Sequence, residues 1–175
     1  MRRIIAIAGL AQSGKSTIAS YLKAQGFTED SFAAPIRSCM ANILGISLSQ
    51  LEVCKDQDMP PFEYTPRRMM QTLGTEWGRE MIQNDLWIVS LRERIKRELT
   101  LTSFVISDLR FENEAVALRD MGAEIWHIER PGLSNTTGHK SENGIMRQLH
   151  DYVILNDGTV DELYDQVDEL TGARG

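Results

Sequence analysis

Cysteine is scarce in this chain: its 175 residues hold two, Cys39 and Cys54, too far apart for metal-ligand spacing. A disulfide-stapled fold is excluded, and the pair reads as free thiols of a reducing cytoplasm. No apolar run approaches the ~20 residues that span a bilayer. Arg2-Arg3 pass straight into a strand pattern rather than an apolar signal segment, so no secretory signal is expected. A surplus of basic residues is also missing. The net charge of -6 and an aromatic content of 7% argue against stable nucleic-acid binding, which needs a cationic groove and stacking rings. A small phosphate ligand stays allowed, because it needs only a local positive pocket.

What is present is a strand-loop-helix pattern at the start. The apolar run Ile4-Ile5-Ala6-Ile7-Ala8 leads into Gly9-Leu10-Ala11-Gln12-Ser13-Gly14-Lys15-Ser16-Thr17. This is the spacing of a P-loop, Gly-x-x-x-x-Gly-Lys-Ser, in its required setting. Gly9 and Gly14 permit backbone conformations that turn successive N–H groups, including those of Ala11, Gln12 and Ser13, around an anion. The helix beginning near Lys15 aims its unpaired N–H groups and dipole at the same point, with Thr17 in its first turn. Lys15 reaches β/γ-phosphates and the Ser16 hydroxyl serves Mg²⁺. The pattern implies a nucleoside triphosphate site.

Downstream, apolar runs alternate with helical patterns, which predicts an α/β three-layer sandwich: a mostly parallel five-stranded sheet flanked by helices. Strands are expected at Arg3–Ala8, around Ser31–Ala33, and at Ser103–Asp108, Ala123–Glu129 and Asp151–Leu155. Helices are expected at Lys15–Gln25, Pro35–Leu44, Pro66–Ile82, Leu86–Leu99, Glu112–Met121 and Val160–Thr171. No linker divides residues 1–175, so one domain is expected. Capping boxes are read at Ser49–Glu52 and Thr159–Glu162, and Thr65-Pro66 signs another helix start. Met70, Leu73, Trp77 and Met81 fall at helical spacing and are expected to form a buried stripe. Gly74 and Gly78 cost helix propensity, so each should permit close packing or a ligand's approach.

Ligands of open parallel sheets bind beyond the carboxyl ends of the strands. Asp108 ends the run Phe104-Val105-Ile106-Ser107 at that edge, where a carboxylate can hold a metal's water shell or orient an attacking oxygen. Arg110 follows and can fork onto a phosphate. Further candidate cations are Arg37, Lys55, Arg68, Arg79, Arg130 and Lys140. The polar stretch 130–144 follows a strand and reads either as a cationic flap, with Arg130 and Glu142, or as a plain surface loop. Gln71 lies on the helix of Arg68 and can read a base edge. Trp77 on that helix suits the core and is also carried as a substrate-side candidate.

The residues resemble the phage-type deoxynucleoside monophosphate kinases, a branch of the P-loop nucleotide kinases. The likeness runs through Gly9–Thr17, Phe32-Ala33-x-Pro35-Ile36-Arg37, Thr65–Glu76, Gly78-Arg79, Trp87, Ser107-Asp108-x-Arg110-Phe111-x-Asn113-Glu114, His139-x-Ser141-Glu142 and Asn156–Thr159. It implies transfer of the ATP γ-phosphate to a deoxynucleoside 5′-monophosphate with Mg²⁺, for phage DNA precursor synthesis in a (host) cytoplasm. Carried over by residue, Lys15, Asp108 and Arg110 are catalytic, and Ser16 and Asp108 serve the metal. Arg68, Gln71 and Arg79 line the monophosphate site within a helical segment at about 45–100, with Arg37, Lys55, Trp77, Arg110 and Glu142 on the substrate side. Arg130 joins the ATP site, and the loop Asn156, Gly158 and Thr159 lies against the adenine. Similar kinases often carry an acidic residue where this chain has Ala34. Rival readings are a P-loop kinase for dephospho-coenzyme A or a modified DNA base, and a nucleotide-binding switch without an acceptor site. A homodimer stays open.

Overall fold

The computed structural model describes residues 2–98, 102–133 and 145–172. They fall into two compact units, Met1–Ser31 with Arg97–Gly175, and Phe32–Lys96.

The first unit is a five-stranded sheet in the order β2-β3-β1-β4-β5. Its strands are β1 (Ile4–Ala8), β2 (Thr28–Asp30), β3 (Phe104–Ile106), β4 (Glu124–Glu129) and β5 (Tyr152–Leu155). Every neighbouring pair is parallel. The expected parallel sheet is therefore present. Central β1 is buried at all five positions, as a strand covered on both faces must be. Helices α1 (Lys15–Ala24), α6 (Glu112–Asp120) and α7 (Val160–Thr171) belong to this unit. Ile5, Ile7, Trp126 and Ile128 pack with Ile18 of α1 and Leu163 of α7 into its core. Arg3 forks onto Glu124 at 2.7 and 2.8 Å and donates to the terminal carbonyls of Leu170 and Thr171, closing the end of α7. At the exposed edge, the Gln166 side-chain amide accepts from Leu155 N–H (3.0 Å) and donates to Leu155 C=O (2.9 Å). It stands where a sixth strand would pair and blunts that edge.

The second unit is helical: α2 (Ala34–Leu44), α3 (Leu48–Cys54), α4 (Pro66–Thr72), a π-helix at Leu73–Ile82 and the body of α5 (Leu86–Arg97). Met40, Ala41 and Leu51 form its small core, with Met69 and Met70 packed against them.

Four expectations are corrected. The strand expected around Ser31–Ala33 lies at Thr28–Asp30, because pairing with Phe104–Ile106 sets its place, not the apolar Phe32 that follows. The third strand is shorter than Ser103–Asp108, so Ser107 and Asp108 belong to the loop after it. Helix α3 begins two residues before the expected box: Ser47 accepts from Gln50 N–H while the Gln50 amide oxygen accepts from Ser47 N–H. The helix expected throughout Pro66–Ile82 changes winding at Leu73, where i→i+5 bonding replaces i→i+4. That rewinding breaks the stripe. Met70 and Leu73 are half-buried, but Trp77 is 42% and Met81 74% exposed, so Trp77 does not fill the core. The Thr65 and Thr159 caps are as expected.

A Cβ at Gly78 would stand 2.5 Å from the Trp87 ring, and one at Gly74 would stand 3.1 Å from Ile36 Cδ1. The Trp87 indole N–H also donates to Gly74 C=O at 2.8 Å. The glycines permit close packing, with the Trp77 ring 6.4 Å from that of Trp87.

Candidate active site

The chain leaves β1 at Ala8 and turns at Gly9, where φ is +151°. A Cβ there would stand 2.6 Å from the Ile128 carbonyl oxygen of β4 and 2.8 Å from Ser13 Oγ. Only glycine lets the loop pass so close to the neighbouring strand. Gln12 is left-handed at φ +64°, and Gly14, at φ +110°, forms the N-cap of α1 without any side-chain cap. Helix α1 also has no acidic residue in its first turn, whereas α6 carries Glu112 and Glu114 there and α7 carries Asp161 and Glu162. The open N–H groups and dipole of α1 are thus left for an external anion.

The Lys15 ammonium folds back over the loop, donating to the carbonyls of Gly9 (2.8 Å) and Leu10 (2.5 Å). Ser13 is buried, and its Oγ has no hydrogen-bond partner among the described residues. Arg130, just past β4, donates to Gln12 C=O at 3.4 Å. Asn156, just past β5, donates to Ser13 C=O at 2.8 Å. Ala11, Gln12 and Ser16 are exposed, and Thr17 is half-buried. A cavity of about 390 Å³ opens at the loop, lined among others by Gly9, Lys15, Arg110, His127 and Arg130. It lies at the carboxyl ends of β1, β3 and β4, where open parallel sheets bind ligands.

Arg110 is among the residues that line the cavity. Asp108 is half-buried two residues past β3 and is not among the residues lining the cavity. The Arg110 loop is held by Glu114, 2% exposed, whose Oε2 accepts from the N–H groups of Arg110 and Phe111 at 3.1 Å each. Thr159 and Gly158 serve the start of α7. The Thr159 hydroxyl accepts from Glu162 N–H at 3.2 Å, and a Cβ at Gly158 would stand 2.1 Å from a Glu162 carboxylate oxygen.

Behind His127 stands a charged cluster that sequence reasoning missed. The Asp151 carboxylate, 5% exposed, accepts from Arg119 (2.6 Å), His127 Nε2 (3.0 Å) and Gln148 N–H (2.9 Å). Burial pushes the Asp151 carboxyl up, but these hydrogen bonds and the Arg119 charge outweigh it and hold it below the usual carboxylate range. Met146, bonded to Glu112 and Arg119, belongs to the same arrangement. No local pattern could signal residues separated by 24 and 32 positions.

In the second unit, Arg68 and Gln71 are exposed on α4, while Arg79, on the π-helix, and Arg37, on α2, are half-buried. Lys55 pairs with Glu52 at 2.6 Å, a surface pair of small energetic value. Between Arg68 on α4 and Arg79 the winding changes from α to π at Leu73, so regular α-helical spacing does not relate the two. Glu76 on the π-helix has a buried Oε2 without a hydrogen-bond partner among the described residues, and it too was not singled out as a site residue. Glu142, His139, Lys140 and most of the expected 130–144 flap lie outside the described residues.

The glycine loop, the uncapped α1 and the surrounding cations define a P-loop phosphate-binding protein of the nucleotide-kinase fold. Dephospho-CoA kinase from Campylobacter jejuni shares that fold, with TM-score 0.54 and 13% identity over the whole of both chains. The chain belongs to the deoxynucleotide monophosphate kinase family, whose sequence model matches residues 50–167. A protein of Acanthamoeba polyphaga mimivirus carrying the family's name is 32% identical over 182 residues, spanning 94% of this chain and 93% of the relative. The deoxynucleotide monophosphate kinase of Escherichia phage RB69 is 31% identical over 108 residues, 59% of this chain; the match spans 43% of that longer protein.

Proposed function

We propose that this chain transfers the γ-phosphoryl group of ATP to the 5′-phosphate of a deoxynucleoside monophosphate, giving a diphosphate and ADP. One observation carries the reading beyond generic nucleotide binding. The family match begins at residue 50, after the P-loop, so it owes nothing to that widespread motif. It covers the Arg68–Arg79 helix, the Asp108–Glu114 loop and the Asn156–Thr159 turn.

The transfer makes a bond from an acceptor phosphate oxygen to Pγ and breaks the bond from Pγ to the ADP oxygen. Catalysis of this kind is positioning and neutralisation of spread charge. Lys15 exchanges its two loop carbonyls for β/γ-phosphate oxygens, while the N–H groups around Gly14 and the start of α1 hold the anion. Arg110 and Arg130 add charge from the cavity wall. An acceptor monophosphate is already largely ionised near neutrality, its second pKa being about 6, so no strong base is required. Arg68, Arg79 and Gln71 are assigned to the acceptor phosphate and base.

Among the described residues no cluster of three or more His, Cys, Asp or Glu could cage a metal. The donors on offer, Ser16 and Asp108, instead suit Mg²⁺, which is held largely by water and substrate phosphates. When bound, the ion would neutralise charge on the β/γ-phosphates. Among the described residues no helix is long and apolar enough to cross a membrane, and Cys39 and Cys54 are free. Both fit action in the cytoplasm.

The test is a panel of ribo- and deoxynucleoside monophosphates and dephospho-coenzyme A, each with ATP, scored for phosphorylated product. Diphosphate from at least one deoxynucleotide is expected. ATP turnover indifferent to every monophosphate would instead mark a switch, and product only from dephospho-coenzyme A would reassign the acceptor.

A further inference from the structure

We infer that Asn156 is a positioning residue for the phosphate-binding loop, acting on nucleotide through the Ser13–Gly14 peptide rather than through the base. The inference rests on the P-loop reading above and deepens it.

The Asn156 main chain is fixed first: its N–H donates to Glu129 C=O at 2.7 Å, placing the residue at the end of the β4–β5 ladder. Its side-chain Nδ2 then donates to Ser13 C=O at 2.8 Å, across 143 positions of sequence. A trans peptide is planar, with C=O and the next N–H on opposite sides. Holding the Ser13 carbonyl towards Asn156 therefore turns the Gly14 N–H away from it. Gly14 is the N-cap of α1, so this donor stands immediately ahead of the open first turn that receives the anion.

The same contact explains the second motif glycine. A Cβ at Gly14 would stand 2.6 Å from Asn156 Nδ2, so any side chain there displaces the brace. Gly14 and Asn156 are thus one device, split between the two ends of the sheet-forming chain. Arg130 makes the companion contact to Gln12 C=O one peptide earlier, at 3.4 Å. The loop is gripped by two consecutive carbonyls. Only a donor can do this: an aspartate at position 156 has the same shape but presents oxygen to oxygen.

The experiment separates loop from base by using a ligand with no base. Binding of ADP and of inorganic tripolyphosphate is measured by calorimetry for wild type, Asn156→Ala, Asn156→Asp and Lys15→Ala. Both Asn156 variants should weaken both ligands by similar factors, about tenfold or more, with Asp the worse because it adds charge near the phosphates. The KM for the monophosphate acceptor should stay unchanged, which a general loss of structure would not allow. Should Asn156→Asp fail to fold, Asn156→Ala decides the matter alone. If ADP weakens while tripolyphosphate does not, the residue serves the base and the inference falls. It also falls if neither ligand weakens although Lys15→Ala abolishes tripolyphosphate binding. If Lys15→Ala leaves tripolyphosphate binding intact, it is the phosphate-site reading itself that fails.

Discussion

The sheet-bearing unit builds its candidate site mainly from main chain, whereas the helical unit offers side chains. Around Gly9 and Gly14 the candidate ligand-facing groups are peptide N–H donors whose directions follow from three positive φ angles, at Gly9, Gln12 and Gly14, and a strand end. On α4 and the π-helix the candidates are long side chains, Arg68, Gln71 and Arg79, whose directions depend on how the helix is wound. Main-chain sites tolerate little, because every donor is tied to the fold. Side-chain sites can be retuned residue by residue. A kinase that keeps one donor and selects among acceptors would benefit from this division.

The largest effect expected from breaking this contrast is at Lys15, the side chain assigned to clamp the phosphates in the main-chain site. Lys15→Ala should cost on the order of a thousandfold in kcat, as loss of a central phosphate clamp does. Its melting temperature should stay near wild type, since Lys15 donates to carbonyls of an exposed loop. Near-normal turnover by the folded variant would remove the loop from the mechanism.

Asp108→Asn is expected to lower kcat by roughly a hundredfold with little change in acceptor KM, the signature of an interaction made mainly in the transition state. Steady-state kinetics with both substrates varied would show it. A raised acceptor KM at constant kcat would make Asp108 an acceptor clamp.

On the helical side, Arg68→Ala and Arg79→Ala isolate the side-chain site. At least one should weaken monophosphate binding by about 1.5–3 kcal/mol and leave ATP-analogue affinity unchanged. Titration at fixed ATP analogue reads this directly. If neither moves, acceptor recognition lies off this helix and the contrast between the units dissolves.

The smallest effect concerns stability. Asp151→Asn should destabilise the fold by about 2 kcal/mol by weakening charge-assisted bonds to Arg119 and His127. The folded-state pKa of Asp151 lies below its ordinary value, so this stabilisation is complete above the unfolded pKa of about 3.9 and is lost as pH falls through the folded value. Denaturant unfolding of both proteins should show a constant gap at neutral pH that closes in acid. A gap that does not shrink as pH falls below the ordinary carboxylate range would contradict the assignment.

Legibility followed the range of the interaction. The loop Gly9–Ser16 was readable because its physics is local: an apolar strand, two glycines and a helix start within a few residues. The Thr65 and Thr159 caps were readable for the same reason. The stripe from Met70 to Met81 misled because it assumed α spacing, and the helix rewinds at Leu73 beside Trp87. Nothing in the Trp77 neighbourhood announces i→i+5 bonding; the glycines hinted at close packing or a ligand's approach, not at a change of winding.

By itself the sequence determined the parallel α/β class, the phosphate loop and the helix starts capped by Thr65 and Thr159, since alternation of apolar runs and short-range hydrogen bonds are written in consecutive residues. Only the tertiary structure decided that Asn156 reaches the Ser13 carbonyl and that Asp151 joins Arg119 to His127. Each rests on hydrogen bonds or an ion pair whose partners meet through the order of the strands. Such a contact has no period and no composition, so it exists only once the sheet has set its neighbours side by side.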